Sequence, residues 1–199
     1  TSQLRFGGHD RLLVSAAYDL IARAAPQPLT PDLVLRFGDM PTSKPLRSWI
    51  EASGADQVVV DTPGPWNEPT RRAGAFVRAD GLSVALALAE RADPGPSAWS
   101  RAWAEAEGDA QAASDTAIDA ADGLNEPTIH RVLGSCFGDG DRVLLASSMP
   151  VRDAEAFLQG GGADVRFFSN RGANGIDGLI GTGCGIAAAS ASPTWIVLG

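Results

Sequence analysis

The chain has 199 residues, of which 44% are hydrophobic and 20% are charged, as in a globular protein that buries a sizeable core. Its formal net charge of −8 argues against general binding to nucleic acids or anionic membranes, although a few placed arginines can still bind small anions. The two cysteines and two histidines are too few for a disulfide framework or a metal cage. We therefore expect Cys136 and Cys184 to be small buried side chains in a reducing compartment.

The sequence has no charged leader followed by an apolar run, and no apolar run as long as a membrane span. A cytoplasmic location is the expectation. The chain begins at Thr1 and ends in the apolar run PTWIVLG, which is typical of a buried strand. These ends predict a piece of a longer polypeptide.

Short apolar runs alternate with helical patterns along the first part of the chain, as in an open parallel sheet. They predict strands at 32–38, 56–62 and 73–80, and helices at 44–53, 81–90 and 97–123. The last helix is rich in alanine and acidic residues, and Gly108 is a candidate interruption within it.

The alternation resumes after a candidate boundary at 119–124. It predicts helices at 125–137 and 151–162, strands at 141–148, 163–170 and 194–199, and a helix that opens in the glycine-rich stretch after residue 171. The whole pattern predicts an α/β fold with parallel sheets flanked by helices. In such folds ligands bind outside the carboxyl ends of the strands.

Ser148 and Arg152 follow the carboxyl end of the strand at 141–148. If both belong to the opening turn of a helix, they lie on one face near its N-terminus, where anions are favoured. The alternative is a helix-capping serine and a solvated arginine.

Arg171 follows the carboxyl end of the strand at 163–170, and glycines come directly after it. In a shared sheet, Arg171 and Arg152 rise from one edge, and two guanidinium groups there suit a carboxylate or phosphate. The alternative is an arginine paired with Asp177 or left in water. The glycines permit a turn and close approach of the main chain, and those at 181–185 permit tight helix packing. Their spacing matches neither a dinucleotide fingerprint nor a phosphate loop.

Lys44 opens the predicted helix at 44–53. A cation at a helix N-terminus opposes the helix dipole. That unfavourable placement predicts either a ligand contact or a tolerated surface lysine.

Three stretches, LRFGDMPTSKPL, SSMPVRD and FFSNRGANGIDGLIGTGCG, resemble the 2-succinyl-5-enolpyruvyl-6-hydroxy-3-cyclohexene-1-carboxylate synthases, a thiamine-diphosphate enzyme family of menaquinone biosynthesis. The resemblance covers the chain from about Asp32 onward, and the third stretch is the most specific. It implies a Rossmann-like central domain at 1–122. It also implies that residues 123–199 are the truncated start of a C-terminal thiamine-diphosphate-binding domain.

The resemblance further implies a carboligase that decarboxylates 2-oxoglutarate and adds the succinyl-semialdehyde carbanion to isochorismate. By motif position, the implied substrate-binding residues are Lys44, Ser148, Arg152 and Arg171. The residues implied beside the aminopyrimidine of thiamine diphosphate are Asn174, Gly175 and Ile176. Members of the family are homo-oligomers, dimers or tetramers, in which the cofactor lies between domains of different chains.

In the family, the cofactor-activating glutamate belongs to an N-terminal domain that has no counterpart here, and the Mg²⁺ motif begins with Gly-Asp, whereas this chain ends at Gly199. The resemblance therefore implies that the chain contains no catalytic residue and no metal ligand, and is inactive by itself. We expect calorimetry to show no micromolar binding of thiamine diphosphate and Mg²⁺ to the chain alone.

Two alternatives stay open from the sequence. One is a non-catalytic Rossmann-like module that binds a small anion or nucleotide through Arg36, Arg71 and Arg72. The other is a different thiamine-diphosphate enzyme, such as a 2-oxoacid decarboxylase or acetolactate synthase. The pair Arg152 and Arg171 favours a dianionic substrate over pyruvate.

Overall fold

The computed structural model describes residues 3–9, 14–24, 29–62, 68–92, 95–170 and 177–199. They form two three-stranded parallel sheets flanked by helices, which confirms the predicted α/β fold. The strands are β1 (Leu33–Phe37), β2 (Asp56–Val60), β3 (Ala75–Val77), β4 (Arg142–Leu145), β5 (Arg166–Phe168) and β6 (Thr194–Val197). The helices are α1 (Tyr18–Ala24), α2 (Lys44–Ser53), α3 (Gly81–Ala89), α4 (Ala98–Asp119), α5 (Glu126–Cys136), α6 (Met149–Phe157) and α7 (Leu179–Ala188).

The chain divides into two compact units. One is Ile21–Trp103, and the other combines Thr1–Leu20 with Ala104–Gly199. We call them the first-sheet unit and the second-sheet unit. The division into a central domain at 1–122 and a cofactor domain at 123–199 stays a prediction.

The first-sheet unit has the strand order β1-β2-β3. Its helix α2 follows local signals closely. The hydroxyl of Ser43 accepts a hydrogen bond from the Leu46 backbone N–H at 3.1 Å, and Pro45 occupies the first turn, where its missing N–H costs nothing. Gly54 ends the helix with φ 71°, a left-handed conformation that glycine adopts readily.

The second-sheet unit has the strand order β5-β4-β6. Its central strand β4 is covered on both faces, since Val143, Leu144 and Leu145 are all buried. A strand buried in this way reads as a continuous apolar run, which is why the sequence predicts it clearly. One hydrophobic cluster combines side chains from β4, α6, the segment before α1 and the positions that flank α5, α6 and β5: Phe6, Phe137, Val143, Leu145, Val151, Ala154, Leu158 and Val165.

The segment 3–9, for which the sequence offers no pattern, packs on this second sheet. Its Phe6 ring lies 5.1 Å from the Phe167 ring and 6.1 Å from the Phe137 ring, centroid to centroid. Phe6 also bridges to Gly161, and the Gly7 N–H donates to the Gly161 carbonyl at 3.1 Å. The residues at the start of the chain therefore belong to the core that the last hundred residues build.

Several local expectations were wrong. Helix α4 runs from Ala98 to Asp119 without a break at Gly108, because its other residues are mostly good helix formers. Helix α6 begins at Met149, two residues before the predicted start, because Pro150 fits the first turn. Cys136 and Cys184, predicted to be buried, are exposed free thiols.

Candidate active site

The carboxyl ends of the parallel strands β4 and β5 meet at one edge of the second sheet. The Ser147 hydroxyl, just beyond β4, donates a hydrogen bond to the Asn170 carbonyl, just beyond β5, at 3.1 Å. The Asn170 amide in turn donates to the Thr182 hydroxyl of α7 at 3.1 Å. These two bonds tie the ends of two strands to a helix and fix the backbone that leads to residue 171.

Ser148 links β4 to α6 in an unusual backbone conformation. Its φ is 86° and its ψ is −126°, a region that residues other than glycine rarely adopt and that costs on the order of 1–3 kcal/mol. Ser148 occupies the N-cap position, yet its hydroxyl makes no capping hydrogen bond. The hydroxyl is exposed and does not make the capping bond that the sequence also allowed.

Arg152 lies in the opening turns of α6, four residues after Ser148, and its side chain is exposed. Its guanidinium approaches the Met149 sulfur at 3.9 Å, and it forms no ion pair with a carboxylate within the described part of the chain. A guanidinium near a helix N-terminus that is exposed and not paired with a described carboxylate remains available to bind an anion.

The buried side of α6 carries a second ionisable group. Asp153 is buried next to Arg152 in sequence. Burial raises the pKa of Asp153, and the charge of His130 on α5 partly offsets that effect. The His130 ring nitrogen Nδ1 lies 2.9 Å from the Glu126 carbonyl oxygen. Helix α6 thus separates a solvent-facing guanidinium from a buried carboxyl group.

Lys44 is the first residue of α2 and is exposed. It belongs to the first-sheet unit, whereas Ser148 and Arg152 belong to the second-sheet unit. The predicted opposition between its charge and the helix dipole is present, because Lys44 directly follows the N-cap Ser43.

The other predicted site residues, Arg171, Asn174, Gly175 and Ile176, lie outside the described residues. The glycines that follow have distinct roles. Gly178 is the N-cap of α7 with φ 79°, and a Cβ at Gly183 would lie 2.7 Å from Ile196 Cγ1. The expectation of close packing was wrong for Gly181 and Gly185, since a Cβ at either position would meet no atom of the described residues within 4 Å.

Of the three arginines of the alternative anion site, two form ion pairs with glutamates. Arg36 forms an ion pair with the buried Glu68, with 2.5 Å between Nη2 and Oε2. Arg72 pairs with Glu51 at 3.3 Å on the surface, and Arg71 has a positive φ of 56°. Two of the three charges are already neutralised, so an anion-binding module is not favoured.

Ser147 and Asn170 lie in the last positions of the strands predicted at 141–148 and 163–170, whereas Thr182 was not singled out from the sequence. Thr182 lies in a glycine-rich helix whose pattern suggests packing alone. The available signal in the sequence was the position of Thr182 four residues after Gly178, which places it about one turn into the helix. Within the described ranges, no cluster of three or more histidine, cysteine or acidic residues could hold a metal ion. Within the same ranges, no helix is long and apolar enough to cross a bilayer.

Comparison with known proteins identifies relatives along the whole chain, although no family model matches it. A protein from Geobacillus kaustophilus (strain HTA426) is 39% identical over 202 residues, covering 100% of this chain and 35% of the relative. A protein from Halobacterium salinarum (strain ATCC 29341 / DSM 671 / R1) is 41% identical over 194 residues, covering 96% and 32%. One from Chloroflexus aurantiacus (strain ATCC 29366 / DSM 635 / J-10-fl) is 37% identical over 205 residues, covering 100% and 35%.

All three are named 2-succinyl-5-enolpyruvyl-6-hydroxy-3-cyclohexene-1-carboxylate synthase. Along its length the chain resembles the synthases of this family. It spans about a third of the length of the curated relatives it matches. The resemblance seen in three short motifs therefore extends over all the described elements, including the segment 3–9 that no motif covered.

Proposed function

We propose that this chain is part of a thiamine-diphosphate-dependent transferase that decarboxylates 2-oxoglutarate and joins the remaining succinyl-semialdehyde unit to isochorismate. The product is the compound in the relatives' name, an intermediate of menaquinone biosynthesis. The observation that carries this proposal is the match along the whole chain at 37–41% identity to synthases of that name. In the intact protein we expect a homo-oligomer, a dimer or a tetramer.

The carboxyl edge of the second sheet supports a site for the substrate carboxylates. Arg152 offers a guanidinium that no described carboxylate neutralises, and Ser148 offers an exposed hydroxyl. We assign the second guanidinium to Arg171, because the preceding residue, Asn170, is bonded to Ser147 at this edge. Two guanidinium groups that bind a dianion bidentately fix its orientation as well as its charge. Lys44 is the proposed fourth contact.

The donors at this edge fit an anionic cofactor as well. The Ser169 hydroxyl at the end of β5 is buried and has no hydrogen-bond partner among the described residues, so a donor remains there for a ligand. Asn174, Gly175 and Ile176 would lie beside the aminopyrimidine. Thiamine diphosphate, when bound, supplies the electron sink for the decarboxylation. The described residues offer no Mg²⁺ cluster, so we assign no step to that ion.

The test uses the full-length protein that contains this chain. It should release CO₂ from 2-oxoglutarate and form the coupled product only when isochorismate is present. Arg152→Ala and Arg171→Ala should each lower kcat/KM at least about a hundredfold, because each removes a charge-assisted contact to the substrate. The matched control is Arg166→Ala, since Arg166 is an exposed arginine at the opposite, amino end of β5; its kinetics should match the unmodified protein.

Three results would contradict the proposal. Preferential turnover of pyruvate without isochorismate would identify a different thiamine-diphosphate enzyme. Absence of turnover, with binding of a nucleotide or small anion, would identify a binding module. Unchanged kinetics in the Arg152 and Arg171 variants would remove the site assignment while leaving the family intact.

A further inference from the structure

Arg5 is the most deeply buried charged residue among the described residues of the second-sheet unit, with 1% of its surface exposed. Its guanidinium donates three hydrogen bonds to the last turn of α6. Nη1 donates to the Ala154 and Leu158 carbonyls at 3.0 Å each, and Nη2 donates to the Glu155 carbonyl at 2.8 Å. A residue about 150 positions away in sequence therefore caps this helix.

Helix α6 ends without a glycine cap, and although the Leu158 N–H donates to the Ala154 carbonyl at 3.2 Å, the carbonyls of Glu155 and Leu158 gain their bonds from Arg5. The last carbonyls of a helix lack partners within the helix. Leu158 follows α6 with φ −75° and ψ 103°, so no left-handed glycine closes the end, and the last turn contains no basic residue. The Arg5 charge also suits the negative end of the helix dipole.

Further contacts hold the guanidinium in place. A carboxylate oxygen of Glu155 lies 3.8 Å from Nη2, and the Arg5 guanidinium carbon lies 5.0 Å from the centroid of the Tyr18 ring. Burial lowers the pKa of Arg5, while the charges of Glu155, Glu107 and Asp19 partly offset this. A buried charge with this set of partners defines one position of the helix, because displacement would leave the charge without its acceptors.

The opposite end of α6 is the candidate site. The helix has nine residues, which makes it about 13 Å long. It starts at Ser148, whose backbone is strained, and presents Arg152 to solvent. A short helix behaves as a rigid rod, so a shift at its C-terminal end is transmitted to both side chains.

We propose that Arg5 is a positioning residue that fixes α6 along its axis through the carbonyls of Ala154, Glu155 and Leu158, and thereby holds Ser148 and Arg152 in place for an anionic substrate. The identity of that substrate rests on the proposed function. The positioning of α6 by Arg5 does not depend on the proposed function, so the positioning and the effect on substrate binding are tested separately.

The mechanical test is amide hydrogen exchange of the chain. Arg5→Lys keeps the charge, but an ammonium group cannot reproduce the planar fork that reaches three carbonyls. We expect exchange in the peptide 149–158 to rise at least about tenfold more than in the matched control Phe6→Leu, which loosens the same segment without removing a carbonyl bond. Equal exchange in the two variants at equal global stability would overturn the proposal. If Arg5→Lys does not fold, Arg5→Met with Glu155→Gln removes the buried charge pair and provides the same comparison.

The functional test is a double-mutant cycle in the full-length protein. We expect Arg5→Lys to raise KM for 2-oxoglutarate by about tenfold to a hundredfold, because small displacements of binding groups have effects of that size, and to leave kcat within about twofold. In an Arg152→Ala background, Arg5→Lys should raise KM by a clearly smaller factor, because Ser148 is then the remaining positioned contact. Additive effects would overturn the positioning role. If the protein shows no activity with these substrates, the proposed function fails, while the exchange result still decides whether Arg5 positions α6.

Discussion

Ser148 is the residue at which the fold accepts local strain. Its positive φ is one of two among the described residues other than glycine, and it occurs between a buried strand and a helix whose first turn holds a free guanidinium. Strain of this kind persists only where the surrounding structure imposes it, and such positions concentrate at ligand sites. In this strained turn the Ser148 hydroxyl is exposed and does not form the hydrogen bond by which an N-cap serine usually caps a helix.

Replacement of Ser148 by glycine should therefore stabilise the chain. Glycine relieves strain of about 1–3 kcal/mol and loses about 0.5–1 kcal/mol through its greater freedom in the unfolded state, so the free energy of unfolding should rise by about 1 kcal/mol. Urea denaturation measures this. The neighbouring control Ser147→Gly should lower the free energy of unfolding by about 1–2 kcal/mol, because it removes the hydrogen bond to Asn170. A loss of stability in both variants would show that Ser148 is not strained.

Glu68 makes the stability of the first-sheet unit depend on pH in the acidic range. Burial by itself would raise the pKa of Glu68, but hydrogen bonds from Thr70 and Arg36 and the charge of Arg36 outweigh it and hold the pKa below its usual value. A carboxyl group whose pKa is lower in the folded state stabilises the fold above the unfolded value, near about 4.3. That contribution is lost as the pH falls through the lower folded value.

Glu68→Gln should remove this dependence. We expect its free energy of unfolding at pH 7 to fall by about 3 kcal/mol, because the substitution removes the ion pair between Glu68 and the nearly buried Arg36. Between about pH 5 and the folded pKa, the variant should change less steeply with pH than the unmodified chain. Glu51→Gln is the control, since the Glu51–Arg72 pair is exposed and contributes little. Equal pH profiles for the chain and Glu68→Gln would contradict the assignment.

At the scale of elements, α7 shows which glycines its packing requires. Among the glycines inside this helix, Gly183 is the one that lies against another element of the described structure, and Ile196 of β6 occupies the space that a Cβ would need. Gly183→Ala should lower the free energy of unfolding by about 1–3 kcal/mol through overpacking. The control Gly185→Ala lies in open space within the described structure and should raise it by up to about 1 kcal/mol, because alanine favours helix. Thermal or urea unfolding of both variants shows directly whether the two substitutions change the free energy of unfolding in opposite directions.

Helix α2 and strand β4 show what the local sequence can predict. Helix α2 follows from a capping serine, an early proline and a closing glycine, all of which act within a few residues. Strand β4 follows from an uninterrupted apolar run. The helix was predicted with its observed bounds, and the strand was predicted at 141–148 and observed at Arg142–Leu145, because the physical causes of each lie inside the element itself.

The remaining features depend on partners far away in the chain. Arg5 caps a helix about 150 residues later, and no local pattern predicts that pairing. The positive φ of Ser148 is imposed by its surroundings, since serine itself does not favour it. The guanidinium of Arg152 was identified through a motif, and its freedom from ion pairs emerged only from the structure of the described residues.

At the scale of the whole molecule, a large part of the apolar surface remains uncovered. On α3, Leu82 and Leu86 are 68% and 58% exposed and lie four residues apart on one helix face. In the same unit, Phe76 on β3 and Leu33 on β1 are exposed as well, and these two strands are the edges of the first sheet as described. Exposed apolar side chains together with open strand edges favour association between molecules.

We therefore expect the chain by itself to associate with further copies, so its weight-average sedimentation coefficient should rise with concentration. The double variant Leu82→Glu with Leu86→Glu places two charges in the exposed patch and should abolish that rise. The control, Ala112→Glu with Ala113→Glu, makes the same change in net charge on an exposed face of α4, and should still associate. If the control also stays monomeric, net charge and not the α3 patch governs association. A sedimentation coefficient of the unmodified chain that does not change with concentration would contradict the expected association.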